Sequence, residues 1–440
     1  MAVFIKILVC AGMMLMCCHA SAQTDPIYLS ASETDPIYLS TAQTEDLFIS
    51  QNIRLIAEKL KINIADAAIM QAKLWSNPTF SIQDVNLWST KEQRSGENGA
   101  VPPLFGSFGR NTQFALGLEQ VIVLGGKRQK LVEMEYVTRD IAIQYFEELL
   151  RSLKVELRNA YNEMLFNQEY LKTLEKQREM LNALIGNYRN QVKHGNVSRS
   201  ELLRLQASLL EVCSEINDLQ KDINQQQKSL KTLLNISTPS DIVLTTIQIN
   251  TKSPEEFSYG HLFELAEASR PDLKEAMFQK DFSEKSLRYE IAQRTPDLTL
   301  NATYNRAGGI TPNVIAFGAS IDLPLLNRNQ GNIKAAQIGV QQNQLFAEQK
   351  QLEIRNEVIH ALQNYTLAYN FNRQITGEFI ADLDEMLESY TRNFINKNIG
   401  IVEFLDFFEA WKNNKRTMLS AQKDVKISFE ELKYAVGTEL

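Results

Sequence analysis

Apolar residues recur at a spacing of seven along much of the first half of the chain. Two rows sustained over about six heptads are typical of a coiled-coil seam. They predict a helix over residues 127–194, which at 1.5 Å per residue would be roughly 100 Å long. Such a length exceeds the diameter of a globular domain and predicts a rod or a tube. The rows are Leu150, Leu157, Met164, Leu171, Arg178, Ile185 and Val192, and Leu153, Ala160, Asn167, Leu174, Leu181 and Tyr188.

A short segment containing glycine and serine ends this helix and begins a return helix. Gly195 suits the left-handed position that follows many helices. Ser198 can cap the next helix, with Glu201 three residues later. Apolar heptad rows continue beyond it, through Leu202 to Leu230. The pattern therefore predicts an antiparallel hairpin of two long helices.

The second half of the chain repeats this scheme. The segment from Tyr188 to Leu203 aligns with Tyr390 to Leu405 at an offset of 202 residues. Further helices are predicted over 262–293, 331–396 and 400–437. A period near 200 residues indicates a duplicated domain rather than a solenoid. We divide the chain into a first repeat over 41–235, a linker over 236–260 and a second repeat over 261–440.

Short strands interrupt the helices, two in each half. The clearest covers 298–305, where Leu298, Leu300, Ala302 and Tyr304 alternate with polar residues. Its partner is predicted near 315–323, and the first-half pair over 79–88 and 112–122. One apolar and one polar face suit a lipid-facing, water-filled barrel, but also a solvated sheet packed on a helix. Two hairpins cannot close a barrel, so the first interpretation requires strands from several chains.

The N-terminus has the pattern of an exported protein. Residues 1–22 combine Lys6, an apolar run and the cleavage-type sequence Ala20-Ser21-Ala22, which predicts a signal peptide. Residues 23–40 form an extension in which TDPIYLS occurs twice. Its prolines disfavour a helix. The extension is either an extended tail left by a local duplication or a strand that binds a partner.

Composition excludes several functions. The 46 Lys and Arg against 53 Asp and Glu give a net charge of −7, which argues against a nucleic-acid partner. After signal removal only Cys213 remains, and we expect a buried thiol. The three remaining histidines show no metal-binding spacing, and Gly125-Gly126-Lys127 lacks a P-loop frame. We therefore predict no enzyme activity, no cofactor and no structural metal.

The order of helices and strands, seen twice, resembles that of the outer-membrane efflux factors, the family of the TolC channel. The resemblance covers about residues 41–440. Asn77-Pro78-Thr79-Phe80 enters the first strand, and EQVIVLGGKR leaves the second at 119–128. Thr295-Pro296-Asp297-Leu298 and residues 323–331, LPLLNRNQG, repeat these junctions. This last stretch looks most like the branch that serves heavy-metal efflux pumps.

The resemblance implies a mainly α-helical protein with membrane strands. Three protomers, each giving four strands, would build one outer-membrane β-barrel, continued by a periplasmic α-helical coiled-coil tunnel. The homotrimer would be a passive exit duct for heavy-metal cations or small toxic compounds. Its partners would be outer-membrane lipid, a periplasmic adaptor protein and an inner-membrane transporter of the RND type. A protein-secretion duct and a soluble periplasmic scaffold are the alternatives.

The resemblance also places the functional residues at the helix tips. The family's acidic entrance residues fall on Glu201, Glu403 and Asp406, and rings of carboxylates around a threefold axis favour cations. The alternative is that these are solvated charges on helix faces. Lys397 stands where a glycine is expected, and Ile399 where the family has a basic latch residue. Six tip residues are expected to contact the adaptor: Gly195, Val197, Ser198, Ile399, Gly400 and Ile401.

Overall fold

The structure is a computed structural model that describes residues 35–86, 113–245, 252–307 and 311–440. The predicted signal peptide and the first TDPIYLS copy lie outside these residues. The first half contains β1 (Ile37–Leu39), α1 (Thr41–Gln51), α2 (Ile53–Lys73), β2 (Thr79–Asn86), β3 (Gln113–Ile122), α3 (Lys127–Lys193) and α4 (Arg199–Leu233). The second contains β4 (Ile242–Leu244), α5 (Tyr259–Ser269), α6 (Pro271–Ala292), β5 (Leu298–Ala307), β6 (Thr311–Ile321), α7 (Gln330–Arg373), α8 (Gly377–Ile395) and α9 (Ile401–Val436).

The predicted long hairpin and its repeat are present, but two predicted helices are divided. The helix predicted over 331–396 ends at Arg373, and α8 restarts after Thr376, whose side chain accepts the Phe379 N–H at 3.2 Å. The helix predicted over 262–293 bends at Arg270, because Pro271 occupies the first position of α6 and cannot continue the preceding helix.

The four longer strands form one antiparallel sheet in the order β2-β3-β5-β6. Phe80, Leu118, Ala302 and Phe317 lie side by side in the register, so the predicted apolar faces of all four strands coincide. The other face carries small and polar residues such as Ser81 and Thr303. The alternation predicted from the sequence is confirmed as one continuous apolar sheet face.

The helices nearest the sheet follow the same order as its strands. In that half of the molecule α2 packs on α3, α3 on α6, and α6 on α7. In the half nearer the tips, α3 packs between α4 and α9, and α8 packs on α9. At each level the helices therefore form a single row. Within the described residues, the end helices, α2 and α7 near the sheet and α4 and α8 near the tips, have a packed neighbour on one side only.

Between these levels, the second TDPIYLS copy pairs within its own chain. Ile37, Tyr38 and Leu39 form β1, which runs parallel to β4 of the linker. Ile37 and Leu39 are buried in an apolar cluster with Leu157 and Leu230, whereas Tyr38 is exposed. This copy is therefore a strand that closes the core of its own first half.

Cys213 is exposed, contrary to the expected buried thiol, because the buried positions beside it are Val212 and Ile216. None of the helices in the described ranges is both long enough and apolar enough to span a membrane.

Candidate entrance site at the helix tips

The turn between α3 and α4 forms the first tip. Gly195 has φ +72°, and its N–H donates to the Val192 carbonyl at 3.0 Å. The Asn196 N–H reaches back to the Gln191 carbonyl, also at 3.0 Å. This pair of bonds is the Schellman arrangement that ends a helix, and it requires the left-handed backbone at Gly195.

The turn between α8 and α9 repeats that geometry 202 residues later. Lys397 occupies the left-handed position with φ +62°, and its N–H donates to the Phe394 carbonyl at 3.1 Å. The Asn398 N–H donates to Asn393 at 2.8 Å. The Lys397 ammonium donates to the Asn196 carbonyl at 3.2 Å and so connects the two tips.

The return helices begin differently. In the first tip the Ser198 hydroxyl accepts the Glu201 N–H at 3.2 Å, which is a side-chain cap. In the second tip Gly400 occupies the cap position and offers no side chain. Glu201 and Glu403 both lie in the first turn, where a carboxylate interacts favourably with the helix dipole.

Both tips line one cleft of about 470 Å³. All six predicted adaptor-contacting residues and Glu201 lie along it: Gly195, Val197, Ser198, Glu201, Ile399, Gly400 and Ile401. Glu403 and Asp406 do not. They are exposed, three residues apart on α9, and outside the cleft. The structure thus assembles the predicted tip residues and one of the three predicted acids.

None of the three acids has a cationic partner within ion-pair distance among the described residues. Ile399 lies partly buried against the apolar core of the tips, so it supplies no charge for a latch. Their negative charges are therefore not neutralised by a neighbouring side chain among these residues.

Aromatic rings hold the two tips together, a feature that sequence analysis missed. Tyr188 of α3 stacks on Phe394 of α8, with ring centroids 5.1 Å apart, and Phe394 stacks on Phe404 of α9 at 4.5 Å. Phe404 also packs on Phe408 at 5.8 Å. Burial, with a smaller contribution from the Glu201 charge, raises the pKa of Tyr188 to about 12. In the sequence, aromatic residues occur four apart at positions 390 and 394 and again at 404 and 408. This spacing is the signal from which the stack could have been predicted.

Solved structures of outer-membrane channels have a similar fold. CusC superposes with a TM-score of 0.71 at 17% identity, covering 94% of this chain and 96% of its own. CmeC from Campylobacter jejuni gives 0.73 at 14% identity, with 90% and 85% covered. VceC from Vibrio cholerae gives 0.68 at 16% identity, with 90% and 96% covered. No curated protein matches the sequence significantly.

The chain belongs to the outer membrane efflux protein family, whose sequence profile matches residues 46–235 and 262–438. The family, the fold class and the outer-membrane location predicted from the sequence are therefore confirmed. The family consists of channels, which agrees with the expectation that the protein is not an enzyme.

Proposed function

We propose that three copies of this chain close into one outer-membrane duct, a passive exit for toxic compounds and in particular heavy-metal cations. The duct joins a periplasmic adaptor protein and an inner-membrane transporter of the RND type. In this proposal the four-stranded sheets unite into a twelve-stranded barrel and the helices into a periplasmic tunnel. The tips form the periplasmic entrance.

The proposal is carried by the two ends of the subunit. The sheet ends in strands that lack a second partner, and the helix rows end in helices with exposed apolar stripes. Neither β2 nor β6 has a second strand partner within the described residues, and open edges seek pairing. At the level of the sheet the end helices α2 and α7 expose apolar stripes at helical spacing. They are Ile53, Ile56, Leu60 and Ile64 on α2, and Ile338, Leu345 and Leu352 on α7.

The same feature recurs at the tips. The end helix α4 exposes Leu203 and Leu210, and the end helix α8 exposes Phe379 and Met386, each pair seven residues apart. Isolated apolar residues on a surface are ordinary, but stripes on all four end helices are typical of an interface. One end packing on the opposite end of the next copy closes a ring, and the family resemblance implies three copies.

The apolar sheet face supports placement of the strands in the membrane. Phe317 is 83% exposed and Ile315 69% exposed, and Phe80 and Ile82 are exposed on the same face at the opposite edge of the sheet. A solvated sheet packed on a helix would bury this face. Because it is uncovered and continuous over four strands, hydrocarbon is the surrounding that it fits best.

Deletion of the gene tests the function. We expect sensitivity to copper, silver, zinc, cobalt or cadmium salts, restored to wild type by the intact chain. A chain carrying Val197→Asp and Ile399→Asp should still conduct in planar bilayers but not restore resistance, because the tips would no longer bind the adaptor. Sensitivity to drugs and detergents alone would contradict the metal substrate, and full rescue by the double variant would contradict adaptor docking at the tips.

Single-channel recording tests the acidic entrance. We expect Glu403→Ala with Asp406→Ala to raise conductance or weaken cation preference, since the ring would lose six carboxylates in a trimer. The matched control is Glu431→Ala with Asp424→Ala, which removes two exposed acids from the far end of α9. Equal behaviour of the two double variants would show that Glu403 and Asp406 are ordinary solvated charges.

A further inference from the structure

A second cleft, of about 670 Å³, lies where the helices meet the strands. It is bounded by the end of α2, the beginning of α3 and the end of α6. Its lining includes two apolar and four charged residues: Leu74, Trp75, Lys127, Arg128, Glu135 and Asp297. The cleft lies at the opposite end of α3 from the tips. The entrance site therefore does not account for it.

Arg128 is the notable cation of this cleft. Its guanidinium lies over the Trp75 indole, 4.0 Å from the ring centroid. Within the described residues no carboxylate lies at ion-pair distance from it. Stacking occupies the flat face of a guanidinium and leaves its N–H edge available for bidentate hydrogen bonds to a planar or tetrahedral anion.

The neighbouring charges are already engaged. Lys127 is buried and pairs with Asp297 at 2.8 Å, and the same carboxylate oxygen accepts the Leu124 N–H at 3.0 Å. The Lys130 ammonium donates to the Gly125 carbonyl at 2.9 Å. Glu135 lies two helical turns beyond Arg128, about 10 Å along the helix. The mouth of the cleft is therefore positive around Arg128.

Exposed apolar side chains lie along the chain between this cleft and the strands. Trp75 is 62% exposed and Leu74 61% exposed. β2 begins four residues after Trp75, and its apolar face starts with Phe80. An arginine on an exposed tryptophan, next to an apolar face, matches the arrangement of a lipid: phosphate at the polar boundary and acyl chains beyond it.

We propose that this cleft binds the headgroup phosphate of an anionic phospholipid through Arg128, with the acyl chains along the apolar face of β2. The inference rests on the proposed placement of the strands in the membrane, which puts the cleft at the membrane surface. Its occupant is a membrane phospholipid rather than free phosphate, because Trp75, Leu74 and Phe80 would have no role toward an inorganic ion.

Native mass spectrometry of the detergent-purified full chain, supplied with phosphatidylglycerol, tests the proposal. We expect Arg128→Gln to lower the lipid bound per protomer about fivefold, the effect of one cation near a membrane surface. Arg128→Lys, which keeps the charge but loses the planar fork, should give an intermediate value. The matched control, Arg189→Gln, removes an exposed arginine near the other end of α3 and should bind as wild type.

The same spectra report the oligomeric state, so failure of the proposed trimer is seen separately from loss of lipid. Equal lipid retention by wild type and Arg128→Gln would overturn the inference, as would an equal loss in Arg189→Gln. Displacement of the lipid by millimolar inorganic phosphate would overturn the choice of a phospholipid. Lipids with brominated chains should quench the tryptophan fluorescence of wild type more than that of Trp75→Phe, which keeps Trp88 and Trp411. That difference would confirm the position of the acyl chains.

Discussion

The two helical tips have the same backbone turn but different side chains. The first has glycine at the left-handed position and a serine cap, Gly195 and Ser198. The second has Lys397 at the left-handed position, where a Cβ is disfavoured. It has Gly400 at the cap position, where no side chain is present to accept a backbone N–H. Both turns have the same pair of backbone hydrogen bonds. Only the first tip adds a side-chain cap, so the second depends more on packing.

Packing takes over because α8 and α9 carry large aromatic residues at the equivalent positions. Leu202 of the first tip is partly buried, while its counterpart Phe404 is 0% exposed and lies between Phe394 and Phe408. Duplication therefore preserved the turn but shifted its stabilisation from capping to an aromatic stack. That stack also reaches Tyr188, so the second tip is fastened to the first.

The largest effect is expected when the stack is removed. Phe404→Ala should lower the free energy of unfolding by about 4 kcal/mol, since it empties a fully buried aromatic site. Leu202→Ala, the equivalent change in the first tip, should cost only about 1 kcal/mol because that side chain is partly exposed. Urea unfolding of the detergent-solubilised protein measures both. Equal losses would show that the two tips are stabilised in the same way.

The other end of the two hairpins shows a similar difference. Asn52, at the junction of α1 and α2, donates to the Leu233 carbonyl at 2.8 Å. Arg270, at the junction of α5 and α6, donates at 2.9 Å to the carbonyl of Ala435, which lies 202 residues after Leu233. Arg270 is 2% exposed and also pairs with Asp272 at 2.6 Å. The first half thus uses an amide and the second a buried ion pair.

This difference predicts a difference in pH dependence. Burial is the largest single influence on Asp272 and opposes its charge. The hydrogen bonds and charge of Arg270, together with the charges of Arg151 and Lys350, outweigh burial and hold the pKa of Asp272 below its usual value. Arg270→Ala should cost about 3 kcal/mol at pH 7, because it leaves the Asp272 carboxylate buried without its main partner. Asn52→Ala should cost about 2 kcal/mol, from a lost cap and a lost hydrogen bond.

The sign of the pH effect separates the two. A carboxylate with a lowered pKa stabilises the fold above about pH 4, and that contribution disappears as pH falls through the folded-state pKa. The cost of Arg270→Ala should therefore shrink below about pH 4, measured by urea unfolding at several pH values. The cost of Asn52→Ala should stay constant. A pH-independent cost for Arg270→Ala would mean that Asp272 is not the partner that matters.

Sequence alone predicted the features that repeat. Heptad rows, the offset of 202 and alternating strands are local or periodic, so they indicated the hairpins, the duplication and the shared apolar sheet face. Features that depend on which surfaces meet were missed. The Tyr188–Phe394–Phe404 stack joins three helices, and the breaks at Arg270 and Thr376 depend on local capping that a continuous heptad pattern conceals. Glu403 and Asp406 were assigned by resemblance, and their role stays a prediction.

The smallest effects test the turns themselves. Gly195→Ala should cost about 1 kcal/mol, because a Cβ is disfavoured at positive φ. Lys397→Gly relieves that strain in the second tip, but it also frees the unfolded chain and removes the contact with Asn196, so we expect a net gain of less than about 0.5 kcal/mol. Thermal unfolding of both variants beside wild type measures the pair. If Lys397→Gly instead destabilises as much as Gly195→Ala, then the Lys397–Asn196 contact between the tips outweighs backbone strain, and the second tip is held by a polar tie as well as by its aromatic rings.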